Sequence, residues 1–384
     1  MSKLDELINE LCPNGVEFQP LNNKSLFYFH YGIGNKIPED TGGKYDVYGA
    51  NGVVSHIDEY NCEDVSIIGH IGAVGFVNRC KGKCFVTYNG TICEVVDKNK
   101  VNTQYLYYVL TTLNLPSYHK GSQPFLSVSD FERIEIPVPP LPIQEEIVGI
   151  LDNFTELTAE LTAELQDRKK QYEYYRDSLL TFNNDVKVIR IKDYFKRIKG
   201  TPITAEKMKE IESVDGDVKI FAGGKTQIFA FENDIPNANI TRVPAVLVQS
   251  RGLIDFVYYD QPFTFKNEMW AYTCDNVITL KYLYHYFKNN IDYFRNSSSG
   301  MGAMPQISLA VTEDFKIYLP VLEIQERIVN VLDNFEKICN DLKIGLPAEI
   351  ELRQKQYEYY RDMLLTFPEN DLCLSKQASK QAKL

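Results

Sequence analysis

The sequence predicts a mixed α/β (α+β) protein built from two copies of one plan: two globular domains separated by two long antiparallel helices, in cyclic, pseudo-twofold order. Three observations carry this expectation. The phrase Gln171-Tyr172-Glu173-Tyr174-Tyr175-Arg176-Asp177 returns unchanged as Gln356-Tyr357-Glu358-Tyr359-Tyr360-Arg361-Asp362. Leu151-Asp152-Asn153-Phe154 returns as Leu332-Asp333-Asn334-Phe335, and Leu179-Leu180-Thr181-Phe182 as Leu364-Leu365-Thr366-Phe367. Finally, 384 residues exceed the usual domain size of about 100 to 200 residues, and a repeat period near half the chain means a duplication, not a solenoid.

Residues 1–21 read as a short amphipathic helix and a strand. Leu4, Leu7, Ile8 and Leu11 fall at helical spacing, and Pro13-Asn14-Gly15 ends the helix before Val16-Glu17-Phe18. Leu179-Leu180, Asn183-Asn184 and Val186-Lys187-Val188 repeat that order after the first helical block. The N-terminus therefore reads as the severed end of the second copy. The expected boundaries are 1–142 for the first domain, 143–182 for the central helix, 183–322 for the second domain, 323–367 for the C-terminal helix and 368–384 for a polar tail.

Within the first domain, Gly42-Gly43 and Gly49-Ala50-Asn51-Gly52 separate short β-branched and aromatic runs such as Val65-Ser66-Ile67-Ile68. The run from Thr103 to Leu110 reads as a helix, and Ile134-Glu135-Ile136 as an edge strand. The second domain repeats the order with other residues. Lys219-Ile220-Phe221 answers Asp46-Val47-Tyr48, Ala245-Val246-Leu247-Val248 answers Val65-Ser66-Ile67-Ile68, and Met304-Pro305-Gln306-Ile307-Ser308 answers Gln123-Pro124-Phe125-Leu126-Ser127.

The helical blocks open on Pro137-Val138-Pro139-Pro140-Leu141-Pro142 and Leu319-Pro320-Val321-Leu322, each followed by Ile-Gln-Glu. The first carries Ile143, Ile147, Leu151, Phe154, Leu157, Leu161 and Leu165 along one stripe, and at 1.5 Å per residue its roughly 40 residues span about 60 Å. A helix of that length needs a mate, so Leu151, Phe154, Leu161 and Leu165 are expected to form a seam with Leu332, Phe335 and Leu342. Thr158-Ala159-Glu160-Leu161 repeats as Thr162-Ala163-Glu164-Leu165. Each unit adds about 6 Å and overshoots one turn by about 40°. Gly345 and Pro347 fall in the corresponding part of the second block and predict a kink or break there.

Composition narrows the class. The chain has 52 acidic and 41 basic residues, a net charge of −11, and 44% hydrophobic residues. No apolar run reaches the roughly 20 residues of a membrane helix, and the polar start is unlike a signal peptide, so a cytoplasmic protein is expected. The eight cysteines read as free thiols of a reducing compartment, and the spacing of Cys62, Cys80, Cys84 and Cys93 is too loose for a zinc site. The acidic balance argues against nucleic acid at first sight. However, residues 183–319 hold 17 basic and 16 acidic side chains, against 11 and 16 in residues 1–142, which leaves room for local basic patches.

Taken together, the paired Ile-Gln-Glu helices, the repeated phrases, the Thr-Ala-Glu-Leu units and Cys12-Pro13-Asn14-Gly15-Val16 closely resemble the specificity subunit of type I restriction-modification systems, over essentially the whole chain. The resemblance implies two target-recognition domains, each reading one half of a split, asymmetric site in double-stranded DNA. It also implies helices that set the gap and dock two methyltransferase subunits, with restriction-translocase subunits added for cleavage. No cofactor is expected in this chain, and S-adenosylmethionine belongs to the partner methyltransferase. No nucleophile and base constellation appears, so the chain reads as a non-catalytic subunit. A pseudo-symmetric scaffold that binds proteins is the alternative.

Readers of DNA present Arg, Lys, Asn or Gln to base edges and phosphates. The candidates are Arg79, Lys81, Lys83, Asn89, Lys120 and Gln123 in the first domain, and Arg242, Gln249, Arg251, Lys266, Asn267, Arg295 and Asn296 in the second. For each of them the plain alternative is a solvated surface side chain. The glycine-rich loop 297–302 reads either as a close approach to a backbone or as a connector. Tyr172, Tyr174, Tyr175, Tyr357, Tyr359 and Tyr360 suggest partner docking, or packing on the neighbouring domains. Gly223-Gly224-Lys225-Thr226 imitates the end of a phosphate loop, but Lys219 replaces its first glycine and strand residues follow it.

Overall fold

The computed structural model describes residues 3–118, 125–183, 185–299 and 304–367. The chain forms two units, Met1–Leu161 with Ile350–Leu384, and Thr162–Glu349.

In the first unit helix α1 (Lys3–Leu11) precedes β1 (Phe18–Pro20). The strands that follow are β2 (Phe27–Tyr31), β3 (Tyr45–Gly49), β4 (Gly52–Ile57), β5 (Cys62–Gly69), β6 (Val77–Val86) and β7 (Gly90–Val95). They make one six-stranded sheet in the order β2-β7-β5-β6-β3-β4. Val65, Ile67 and Ile68 of the central strand β5 are all buried, the pattern of a strand covered on both faces. Helix α2 (Thr103–Thr112) is capped by Asn102, whose side chain accepts the N–H groups of Gln104 and Tyr105. After α3 (Val128–Phe131), strand β8 (Glu135–Pro137) returns antiparallel to β1, and α4 (Leu141–Leu179) begins. Its 39 residues continue unbroken into the second unit.

The second unit repeats the plan with one change. Strand β9 (Val188–Arg190) leads through α5 (Ile191–Tyr194), β10 (Lys196–Lys199) and α6 (Ala205–Glu210) to β11 (Val218–Phe221) and β12 (Gln227–Ala230). Then come β13 (Ala245–Gln249), β14 (Asp255–Tyr259), β15 (Phe263–Phe265) and β16 (Trp270–Thr273). Helices α7 (Val277–Asn289), α8 (Ile291–Asn296) and α9 (Leu309–Glu313) precede β17 (Lys316–Tyr318), which pairs with β9. The sheet is split into β10-β16-β13-β14 and β12-β11-β15. Where the first unit runs β6 as one strand, the second breaks it at Asp260-Gln261-Pro262, and Pro262 has no N–H for a ladder. In both units the later half of this strand pairs in parallel, Val47 with Phe85 and Ile220 with Thr264.

Repeated residues hold repeated contacts. Tyr105 donates its hydroxyl to Pro137 O at 3.0 Å, and Tyr282 to Tyr318 O at 2.8 Å. The Ile-Gln-Glu glutamines, Gln144 and Gln325, donate to Pro139 O at 2.6 Å and Pro320 O at 2.7 Å. A Cβ on Gly32 would lie 2.2 Å from Thr87 O, and one on Gly200 2.1 Å from Phe265 O, so each chain crossing requires glycine. Leu4 shares a core with Ile143, Ile147, Leu151 and Leu365, as Leu180 does with Ile328, Val329 and Leu332. This is what the cyclic order implies: α1 completes in the first unit what the end of α4 supplies in the second.

The break expected at Gly345 and Pro347 is present, and two other expectations are corrected. The second helical block is two helices, α10 (Leu322–Asn340) and α11 (Leu346–Leu364), broken where Gly345 and Pro347 lie. Gly345 is enclosed, with a Cβ there falling 2.6 Å from Lys337 O, and Pro347 sits in a first turn that needs no N–H from it. Leu342 consequently lies in the break, 76% exposed, and is not a seam residue; Leu157 is exposed too. Leu151, Leu165 and Leu332 are buried and Leu161 half-buried, while Phe154 stacks on Tyr360 at 5.3 Å and Phe335 on Tyr175 at 5.6 Å. The cysteines are not all free: Cys80 and Cys84 are bonded across the turn at Gly82, leaving Cys12, Cys62, Cys93, Cys274 and Cys339 as thiols among the described residues. Cys62 lies 3.5 Å from the Cys84 sulfur, and burial pushes its thiol up to about 12.

Candidate nucleic-acid interface

Each unit gathers equivalent loops at one rim of its sheet. In the first, the turn after β5 brings His70 to Leu126, whose N–H donates to His70 O at 3.1 Å, while His70 N–H donates to Asn89 O at 3.0 Å. The His70 ring meets Tyr31 at 4.7 Å and Phe125 at 5.5 Å. Tyr31, Ile33, Ile71 and Phe125 are exposed around it, so this rim is aromatic and aliphatic.

In the second unit the turn after β13 brings Ser250 to Ile307, whose N–H donates to Ser250 O at 3.0 Å. The Ser250 hydroxyl donates to Glu268 O at 2.6 Å, and Gln249 Nε2 to Gly224 O at 2.9 Å. Gly223, Gly224, Arg251, Lys266, Glu268 and Met304 line a cavity of about 430 Å³. Lys266 pairs with Glu268 at 3.0 Å, while Arg251 is exposed. The same frame here carries a polar, cationic rim.

The sequence candidates divide accordingly. Arg251, Lys266 and the exposed Asn267 gather at the second rim, and the half-buried Asn89 lies at the first. Gln249 is at the rim but buried, its amide committed to Gly224. Arg79 is corrected from reader to structural group: its side chain is 9% exposed, ion-paired with Asp64 and bonded to Gln104 Oε1 at 3.0 Å. Burial pushes the Asp64 carboxyl up, but hydrogen bonds from Arg79 and Lys98 outweigh this and hold it below the usual range. Lys81 sits 4.0 Å from Asp152, away from the rim loops, and Lys83 covers the Tyr60 ring at 4.3 Å. Arg242 pairs with Glu232, and the exposed Arg295 reaches Ile254 O at 3.4 Å beside the exposed Asn296. Lys120 and Gln123 lie outside the described residues, as do Gly300, Met301 and Gly302 of the glycine-rich loop. Gly223-Gly224-Lys225-Thr226 is the turn between β11 and β12, with no helix after it. Ile71, Phe125 and Gln306 also lie at the rims without a residue-type signal that marks them, although the internal alignment sets Gln306 against Phe125.

The repeated helices also bind their own domains. Asp152 accepts the Tyr108 hydroxyl at 2.5 Å and Gln104 Nε2 at 3.1 Å. Its counterpart Asp333 accepts His285 Nε2 and Lys281 Nζ, both at 2.6 Å. Burial raises the Asp333 carboxyl, yet the bonds from His285 and Lys281 prevail and hold it below the usual range. The tyrosines sort into three pairs. Tyr172 and Tyr357 are half-buried beneath Arg176 and Arg361, each 5.8 Å away, and burial pushes both phenols up to about 12. Tyr175 and Tyr360 cover Phe335 and Phe154. Tyr174 and Tyr359, 70% and 66% exposed, stand clear of both cores.

One frame used twice with two different rims, carried on repeated helices, defines a duplicated recognition protein. The chain belongs to the type I restriction-modification specificity family: the family model described as "Type I restriction modification DNA specificity domain" matches it twice, over residues 18–168 and 183–352. It is 36% identical over 297 residues to the EcoR124I/EcoR124II specificity subunit of Escherichia coli, covering 71% of this chain and 72% of that one. A putative type I specificity subunit of Haemophilus influenzae is 30% identical over 378 residues, 92% of this chain and 96% of the relative. The crystal structure of a type I S subunit from M. genitalium shares the fold, with a TM-score of 0.62 at 18% identity over 92% of this chain and 97% of that one. No helix among the described residues is long and apolar enough to cross a membrane.

Proposed function

We propose that this chain is the sequence-reading subunit of a type I restriction-modification complex. Each globular domain reads one half of a bipartite, asymmetric DNA site, and the repeated helices fix the gap. The helices dock two methyltransferase subunits per chain, to which restriction-translocase subunits add. The chemistry and its methyl donor, S-adenosylmethionine, reside in the partners. The observation that carries this reading is the pair of rims: one backbone frame presents Tyr31, Ile71 and Phe125 in one unit and Arg251, Lys266 and Asn267 in the other. Two identical halves would read a palindrome, and two different halves read an asymmetric site.

Expression of the chain with its genomic methyltransferase, followed by sequencing of methylated adenines, tests it. A split motif is expected, and replacing residues 186–319 by the second domain of a relative changes one half-site alone. An assembled complex that methylates without a motif, or whose DNA binding is absent at every salt concentration, favours the scaffold reading instead.

A further inference from the structure

We infer that the two side chains joined across one β-bridge at each rim are the base-reading pair of that domain: Ile71 with Phe125 in the first, Arg251 with Gln306 in the second. This rests on the proposed reading of DNA and deepens it to named residues.

Arg251 and Gln306 face each other in an isolated antiparallel bridge, as Ile71 and Phe125 do. The flanking hydrogen bonds run from Gly252 N–H to Pro305 O at 2.9 Å and from Ile307 N–H to Ser250 O at 3.0 Å. The bridged residues are therefore the non-hydrogen-bonded kind, whose side chains leave the same face at the closest spacing a ladder allows. The backbone beneath them is fixed on three sides. Gly224 N–H donates to Arg251 O at 3.1 Å, Ser299 N–H donates to Gln306 O at 2.9 Å, and Gly252 turns the chain with φ +79°. Both side chains are exposed, and neither makes a hydrogen bond or ion pair among the described residues. An arginine fork donates twice, to guanine O6 and N7, and a carboxamide donates to adenine N7 while accepting from N6, so the two held side by side on a rigid turn match those edges in the major groove.

The first unit keeps the geometry and changes the chemistry. Leu126 N–H donates to His70 O at 3.1 Å beside the bridge, and Gly72 turns the chain with φ +89°. Ile71 and Phe125 are exposed, and the Phe125 ring is braced by His70 at 5.5 Å. An aliphatic and an aromatic group on one face have no donor for a base edge but fit a thymine methyl. The second domain thus selects a G·C pair with a neighbouring A·T pair, and the first selects thymine.

The test uses the assembled complex with its methyltransferase. Methylation rates are measured on a set of duplexes in which each base pair of both half-sites is replaced in turn. Arg251→Ala should reduce discrimination at one G·C pair of one half-site by about ten- to a hundredfold. Arg251→Lys, which keeps the charge without the fork, should reduce it similarly. Gln306→Ala should act on the adjacent pair, and Ile71→Ala or Phe125→Ala on a thymine of the other half-site. Unchanged preferences, or an equal loss of rate on every duplex, would overturn the assignment, because positioning contacts weaken all sequences alike. A wild-type complex with no bipartite preference would instead overturn the underlying reading of DNA.

Discussion

Asp152 and Asp333 occupy the same place in a repeated phrase and receive different hydrogen-bond donors, Tyr108 and Gln104 in one unit and His285 and Lys281 in the other. Hydrogen bonds to an ionised carboxylate contribute about 1.5 to 3 kcal/mol, and Asp333 has in addition a hydrogen-bonded counter-charge, Lys281 at 2.6 Å, where Asp152 has Lys81 only at 4.0 Å. Asp333→Ala is therefore expected to cost the second unit about 2 kcal/mol or more, measured by denaturant unfolding, and to cost more than Asp152→Ala costs the first. The pH dependence has a definite sign. The folded-state pKa of Asp333 is depressed, so its contribution is complete above its unfolded value of about 4 and is lost as acid is added through the lowered value. Asp333→Ala should flatten the acid limb of stability correspondingly. Arg79→Ala, which leaves Asp64 without its main partner, is expected to destabilise the first unit by roughly 3 kcal/mol while base preference is unchanged. The sequence could not place Arg79, because residue type does not say whether a strand position faces water: opposite Ser66 in the sheet and beside Gln104 of α2, it lies under the domain's own helix.

Among the elements, the strands and helices are legible because β-branched runs, turn glycines and helical spacing agree along the chain. The break between α10 and α11 is legible in Gly345 and Pro347, yet nothing in the sequence separates Leu342 from a seam leucine until the break is seen to contain it. The division of β14 from β15 hinges on Pro262, a cue visible only once β6 shows what the undivided strand looks like. The bond between Cys80 and Cys84 was hidden because its four-residue spacing resembles an ordinary loop until Gly82 folds it back inside β6. Gly32 and Gly200 mark the crossing on which each rim rests. Alanine at either position meets a carbonyl oxygen and is expected to destabilise its unit by about 1 to 3 kcal/mol, read as a lowered unfolding midpoint.

Across the whole molecule, the duplication explains why a chain of net charge −11 can contain a DNA reader: the acidic excess lies outside the second domain, whose basic and acidic residues nearly balance. The repeated tyrosines extend the same logic to partners. Tyr174 and Tyr359 stand out from the helices at equivalent positions, so changing both to alanine should reduce the methyltransferase recovered with the chain without lowering its unfolding midpoint. Changing Tyr172 and Tyr357, which pack inward, should lower that midpoint. In the proposed function α4 is both scaffold and ruler. The most direct test of that role is sequencing of methylated adenines after deletion of residues 162–165, Thr162-Ala163-Glu164-Leu165, which shortens the helix by about 6 Å. The same two half-sites are expected, with a gap shorter by about one to two base pairs. An unchanged gap between unchanged half-sites would contradict that role.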